Sequence, residues 1–135
     1  MSLSYILDTN ICIYITKQVP HVLKQFESLN IGEAAMSAIT YGELLYGAHK
    51  SNHTEKALFN LKKLSHFIPP LPVSISATQH YGEIRNSLEK QGTPIGANDL
   101  WIAAHALALN ATLITNNEKE FRRVEGLKIE NWAKN

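Results

Sequence analysis

The sequence predicts an α/β fold: a three-layer α/β/α sandwich with a central, mainly parallel sheet. Three observations predict it. Apolar runs of strand length alternate with longer stretches of helical period along the whole chain. The segments between runs are long enough for crossover helices, which parallel pairing requires. The 135 residues are 44% apolar and 19% charged, an ordinary globular balance that can bury a core without staples.

The elements follow in order. Leu3 to Leu7 reads as a strand closed by the polar turn Asp8-Thr9-Asn10. Ile11 to Thr16 reads as helical, and Pro20 opens a second helix with Val22, Phe26 and Leu29 on one face. Ala34 to Ala38 makes the second strand, followed by a helix from about Thr40 to Lys50. Thr54 to Phe67 is amphipathic, with Leu58, Leu61, Leu64 and Phe67 as its apolar positions. Ile68 to Leu71 is a third strand that its prolines confine to an edge or a short piece. Ser76 to Gln91 is a helix with Ala77, Tyr81, Ile84 and Leu88 inward and Gly92 as its stop. Asn98 to Leu109 is another, whose alanines permit close packing. Thr112 to Thr115 and Leu127 to Glu130 are the last strands. No repeat or linker interrupts this order, and Pro69-Pro70-Leu71-Pro72 is too short to part domains, so residues 1–135 are expected to form one domain.

Composition removes several classes. Cys12 is the only cysteine, which excludes an internal disulfide and suits a reducing compartment. The first residues lack a basic n-region, and no apolar run approaches the roughly 18–20 residues of a bilayer span. No membrane association is expected, and the cytoplasm is the expected compartment. A net charge of +1 is unlike a strongly basic nucleic-acid binder, so any grip on RNA must be local. Basic residues gather only at Lys62-Lys63 and at Arg122, Arg123 and Lys128.

In an open α/β sheet, ligands bind outside the carboxyl ends of the strands. Asp8 follows the first strand, and Glu43 lies on the helix fed by the second. Asp99 opens the helix before the fourth, and Asn116, Asn117 and Glu120 follow the fourth. Taken singly, Asp8, Asn98 and Asp99 are ordinary helix-cap types and Glu43 an ordinary surface acid. Taken together they make a costly cluster, because two carboxylates about 4 Å apart repel by roughly 4 kcal/mol at an effective dielectric near 20. All-oxygen acidic sites favour magnesium or manganese, which lower the pKa of bound water and neutralise a phosphate under attack. That is the chemistry of phosphodiester hydrolysis. Zinc is disfavoured: His49 and His53 are spaced i, i+4, but Lys50 stands where the metalloprotease motif needs glutamate. Cys12, on an apolar stretch, reads as core, and no glycine-rich phosphate loop is present.

At this point the residues match a family. Tyr5-Ile6-Leu7-Asp8-Thr9-Asn10 resembles the opening of PIN-domain toxins of the VapC group. Ser37-Ala38-Ile39-Thr40 leading to Glu43-Leu44 and Gly47 resembles the second block. Gly92-Thr93-Pro94-Ile95-Gly96-Ala97-Asn98-Asp99 with Ile102-Ala103-Ala104-His105-Ala106 is similar to the third. Thr115-Asn116-Asn117, Glu120-Phe121, Val124, Gly126-Leu127 and Glu130-Asn131-Trp132 resemble the fourth. The resemblance implies a magnesium-dependent endoribonuclease, with manganese a possible substitute, that cuts a transfer RNA in its anticodon loop. It also implies a VapB-type antitoxin partner and a homodimer within a toxin–antitoxin hetero-oligomer. Asp8, Glu43 and Asp99 match the family's acids, with Asp8 and Asp99 as direct metal ligands. Many PIN domains place a fourth acid where this chain has Asn117; here Glu120 carries it, with Thr9 and Asn117 supporting. The apolar and aromatic set Tyr14, Tyr41, Leu45 and Tyr46 is expected to divide between core and a groove for the antitoxin.

Three other readings fit less well. A haloacid-dehalogenase-type phosphatase would carry a second aspartate where Asn10 stands. A phosphoacceptor receiver would end its third strand in an acid, where prolines stand instead. The remaining alternative is a degenerate PIN domain that binds RNA or a protein without cleaving.

Overall fold

The computed structural model describes residues 2–134. Five parallel strands, β1 (Tyr5–Leu7), β2 (Ala34–Ser37), β3 (Pro70–Leu71), β4 (Thr112–Ile114) and β5 (Ile129–Glu130), form one sheet in the order β3-β2-β1-β4-β5. Seven helices connect them: α1 (Thr9–Thr16), α2 (Pro20–Glu27), α3 (Ala38–Lys50), α4 (Thr54–Phe67), α5 (Ile75–Lys90), α6 (Ala97–Ala108) and α7 (Glu118–Phe121). The first strand is thus central, flanked by β2 and β4.

Strand alternation divides the core in two. Ile6 lies in register with Ala35 and Leu113, and these three face α5, α6 and α7, where Leu88, Leu100, Ala103 and Phe121 cover them. Their neighbours Leu7, Met36 and Ile114 face the other way, onto Ile11, Cys12 and Ile15 of α1, Val22 of α2, and Leu61 and Leu64 of α4. A sheet buried on both faces needs a helical layer on each, and the three-layer arrangement follows. The start of β3 explains its brevity: the Met36 N–H donates to the Pro69 carbonyl, and the prolines have no N–H to extend the ladder.

Local boundaries differ from expectation in informative places. The segment expected as a polar turn is already helix from Thr9, because the Asp8 carboxylate caps it by accepting from the Thr9 N–H at 2.8 Å. Likewise α3 begins at Ala38 rather than Thr40. Ser37, the last residue of β2, turns its hydroxyl onto the Ile39 N–H at 3.1 Å and caps the helix with no intervening loop. Ser74 caps α5, and Gly92, at φ +73°, ends its C-terminal turn. Of the four apolar positions of the amphipathic pattern, Phe67 is 50% exposed and Leu58 only half-buried. Positions repeating every third residue precess about 60° per step around a helix. Only Leu61 and Leu64 stay on the covered face, and Ile68, four residues beyond Leu64, takes the buried place instead.

Candidate active site

The carboxyl ends of β1, β2 and β4 meet at one rim, and each delivers a side chain there. Asp8 follows β1. It is almost wholly buried: its Oδ1 accepts from the Thr9 N–H and its Oδ2 from the Thr115 hydroxyl, both at 2.8 Å, while its own N–H is tied to the Ile114 carbonyl. Capping and site placement are therefore one role at this residue. Burial raises the Asp8 carboxyl above its ordinary range, the two hydrogen bonds oppose that shift, and the charges of Glu43 and Glu120 add to it.

Glu43, on α3 beyond β2, accepts from the Thr9 hydroxyl at 2.6 Å, and Thr9 Oγ1 lies 3.3 Å from Thr40 Oγ1. Thr9 thus links the α1 and α3 sides of the rim. Asp99 stands in the first turn of α6, whose N-cap is Gly96 with no side-chain cap bond, so Asp99 is not the cap. Its carboxyl is pushed up to about 7, first by burial, then by hydrogen-bonding contact with Glu120 and by the charges of Asp8, Glu120 and Glu43. Glu120 lies on α7, where the Asn117 side-chain amide donates to its Oε2, and the Asn117 N–H is held by the Thr115 hydroxyl at 3.0 Å.

The structure therefore brings together Asp8, Glu43, Asp99 and Glu120, with Thr9 and Asn117 holding two of them. It does not bring in Asn116, whose amide donates to the Tyr14 hydroxyl on the exposed surface. Thr115 and Thr40 stand in the family-like blocks, but the sequence assigns them no role, because a hydroxyl between strand and helix reads as an ordinary cap. Ser37 and His105, both buried, face each other at 2.8 Å between β2 and α6, and burial lowers the His105 pKa. Cys12 is buried, its thiol pushed upward by burial and by Asp8, and it belongs to the core.

The largest charge effects on Asp8 and Asp99 come from other carboxylates, and among the described residues neither forms a salt bridge. Among the described residues no three acidic, histidine or cysteine side chains already form a chelating group. The donor set, carboxylate oxygens supported by hydroxyls and an amide, nonetheless fits a hard divalent cation better than a soft one.

A family model described as PIN domain matches residues 5–127. Ribonuclease VapC1 of Haemophilus influenzae (strain R2866) is 45% identical over 132 residues, covering 96% of this chain and 98% of that one. The chain belongs to the VapC ribonucleases of the PIN-domain family. A second VapC relative, from Shigella flexneri, is 40% identical over 131 residues, covering 97% of this chain and 99% of its own, and is named a tRNA(fMet)-specific endonuclease. Among solved structures, VapBC-1 from nontypeable Haemophilus influenzae aligns at a TM-score of 0.89 and 44% identity, covering 99% of this chain and all of the other. DNA-bound VapBC from Salmonella typhimurium aligns at 0.90 and 39% identity, covering 96% and 98% of the two chains. PIN-domain nucleases are metal-dependent as a family.

Proposed function

We propose that this VapC-family ribonuclease is the toxin of a type II toxin–antitoxin pair and cleaves a transfer RNA in its anticodon loop, with magnesium as cofactor and manganese as a substitute. The observation that carries the catalytic reading is the meeting of four carboxylates from distant parts of the chain, where the largest charge effects on Asp8 and Asp99 come from the other acids. Asp8 and Asp99 would hold the metal directly, with Glu43 and Glu120 completing the site. Bound there, the metal would supply an activated water and neutralise charge on the phosphate. The protein's own part is orientation. Thr115 and the Thr9 N–H fix the Asp8 carboxylate, the Thr9 hydroxyl fixes Glu43, and Asn117 fixes Glu120. Pre-set acids of this kind lose no freedom when substrate arrives.

The partner reading rests on a second feature. An apolar trough of about 360 Å³ lies between α1, α3 and α4, lined by Ile13, Leu44, Gly47, Ala48, Leu61 and Leu64, and it reaches Glu43 at one end. A helix-in-groove contact of an antitoxin segment fits this shape and chemistry. The Haemophilus and Salmonella structures are VapBC assemblies, and a VapB-type antitoxin is the partner proposed here, bound to a homodimer of this chain. Among the described residues no helix is long and apolar enough to cross a membrane, and the proposed compartment is the cytoplasm. One domain spanning 1–135 is proposed to contain all of this.

The test is end-mapping of total RNA incubated with the purified protein, wild type against Asp8→Asn. New ends at one anticodon loop are expected with magnesium or manganese, and none in chelator or with the variant. Cleavage of near wild-type rate in chelator would overturn the metal site.

A further inference from the structure

One face of α3 carries more than its catalytic acid. Glu43, Tyr46 and Lys50 are spaced i, i+3 and i+7, so they ascend one side of the helix away from the rim, about 10 Å from first to last. Along this face runs an open groove of about 680 Å³. Thr9 and Glu43 line it at the catalytic end, Tyr46 lies further along, and Asn98 from α6 also lines it. At Gly42, one turn before Tyr46, no heavy atom lies within 4 Å of where a Cβ would stand, so the floor beside the ring is open. Of the four side chains Tyr14, Tyr41, Leu45 and Tyr46, the first three pack against the core, while Tyr46 is 67% exposed. The Lys50 ammonium sits over one face of the Tyr46 ring, 5.8 Å from its centre, and outside the lining of the groove.

An exposed aromatic plane, an open floor, an amide and a cation beyond them are the parts that hold an unstacked nucleotide. Any RNA whose phosphate meets the acids must place a neighbouring nucleotide in the space adjoining them, and this groove adjoins them through Thr9 and Glu43. We propose that Tyr46 is the stacking platform for the base of a nucleotide beside the cut bond, with Asn98 facing a base edge and Lys50 meeting a backbone phosphate. The inference rests on the ribonuclease reading and adds a substrate-binding residue to it. An antitoxin segment is the competing occupant, but the apolar trough between α1, α3 and α4 offers it better chemistry.

The probe is a fluorescent single-stranded RNA of about 12 nucleotides spanning the mapped cut, bound in chelator so that no cleavage occurs. Fluorescence anisotropy should show Tyr46→Leu weakening binding about 5- to 100-fold, with Tyr46→Trp close to wild type. In magnesium, Tyr46→Leu should raise KM while kcat changes less than about twofold. Scanning single abasic nucleotides across the RNA should find one position whose loss weakens wild type but not Tyr46→Leu, the non-additivity expected of direct contact. Circular dichroism checks that the exposed substitutions leave the fold intact. Equal RNA binding by wild type and Tyr46→Leu would overturn the inference, as would full additivity at every abasic position. So would loss of antitoxin copurification alone, which would assign Tyr46 to the protein partner. Failure of wild type to cut any RNA in magnesium would instead sink the ribonuclease reading itself.

Discussion

Replacing Asp99 with asparagine should make the metal-free protein more stable at pH 8 and leave it unchanged near pH 4. The substitution keeps the side-chain shape in the first turn of α6 and removes one charge from a site where Asp8, Glu43 and Glu120 already repel it. A carboxyl lifted from 3.8 to about 7 corresponds to about 4 kcal/mol if the whole shift is felt on folding. Asp99 is only half-buried, and solvent screening reduces this to about 1–2 kcal/mol. Losing an acid from the first turn of α6 costs about 0.5 kcal/mol of favourable interaction with the helix dipole. About 1 kcal/mol remains, and with an unfolding entropy of about 0.3 kcal/mol/K for a chain of this length Tm should rise by about 3 °C. The pH dependence has a definite sign. Because the folded-state pKa is the higher one, the folded protein binds more protons than the unfolded chain between about pH 4 and 7, so the wild-type penalty grows through that window and is complete above it. Scanning calorimetry in EDTA at pH 4, 6 and 8 measures this directly. Added magnesium should then raise Tm more in wild type than in the variant. Identical melting at pH 8 would refute the electrostatic reasoning. A gain of equal size at pH 4 would do the same, since it would trace to helix propensity.

Two further outcomes test the fourth acid and the partner surface. In single-turnover cleavage at limiting magnesium, Glu120→Gln should lose more rate than Asn117→Ala, whose loss should be about 10–100-fold because it acts by holding Glu120; the reverse order would move the site position to Asn117. Gly47→Glu places a charge in the apolar trough where nothing lies within 4 Å of the new Cβ. It should fold with wild-type stability or slightly better and lose antitoxin in a copurification assay, whereas full retention would move the partner elsewhere.

Much of the architecture was legible because strand and helix differ in period, and because Pro69 and Pro70 limit the third strand to the sheet edge on chemistry alone. The four acids were legible as candidates by a topological rule: Asp8 directly follows β1, Glu43 and Glu120 lie on the helices that β2 and β4 feed, and Asp99 opens the helix leading into β4. What the sequence concealed are the junctions. Nothing in Ser37-Ala38-Ile39 distinguishes a serine that caps at once from one that begins a loop, and only the 3.1 Å bond to Ile39 decides it. Asn116 and Asn117 are adjacent and chemically identical, yet one meets Tyr14 and the other Glu120, because the start of α7 turns them to different sides. The supporting hydroxyl of Thr115 carries no charge signature, and its partner Asp8 is too distant in sequence for spacing to connect them.

That distance has a consequence for how the protein is made. The bond from Thr115 to Asp8 spans 107 residues, and the Asp8 N–H is held by the Ile114 carbonyl on the same late strand. A ribosome that has delivered the first hundred residues has already synthesised Asp8, Glu43 and Asp99, yet β1 still lacks the neighbour on one of its two sides. Contacts closed over so long a stretch of chain are also the slow ones to form. The proposed nuclease centre therefore closes only when the last strands are made, and a growing chain holds most of its acids well before it holds their geometry.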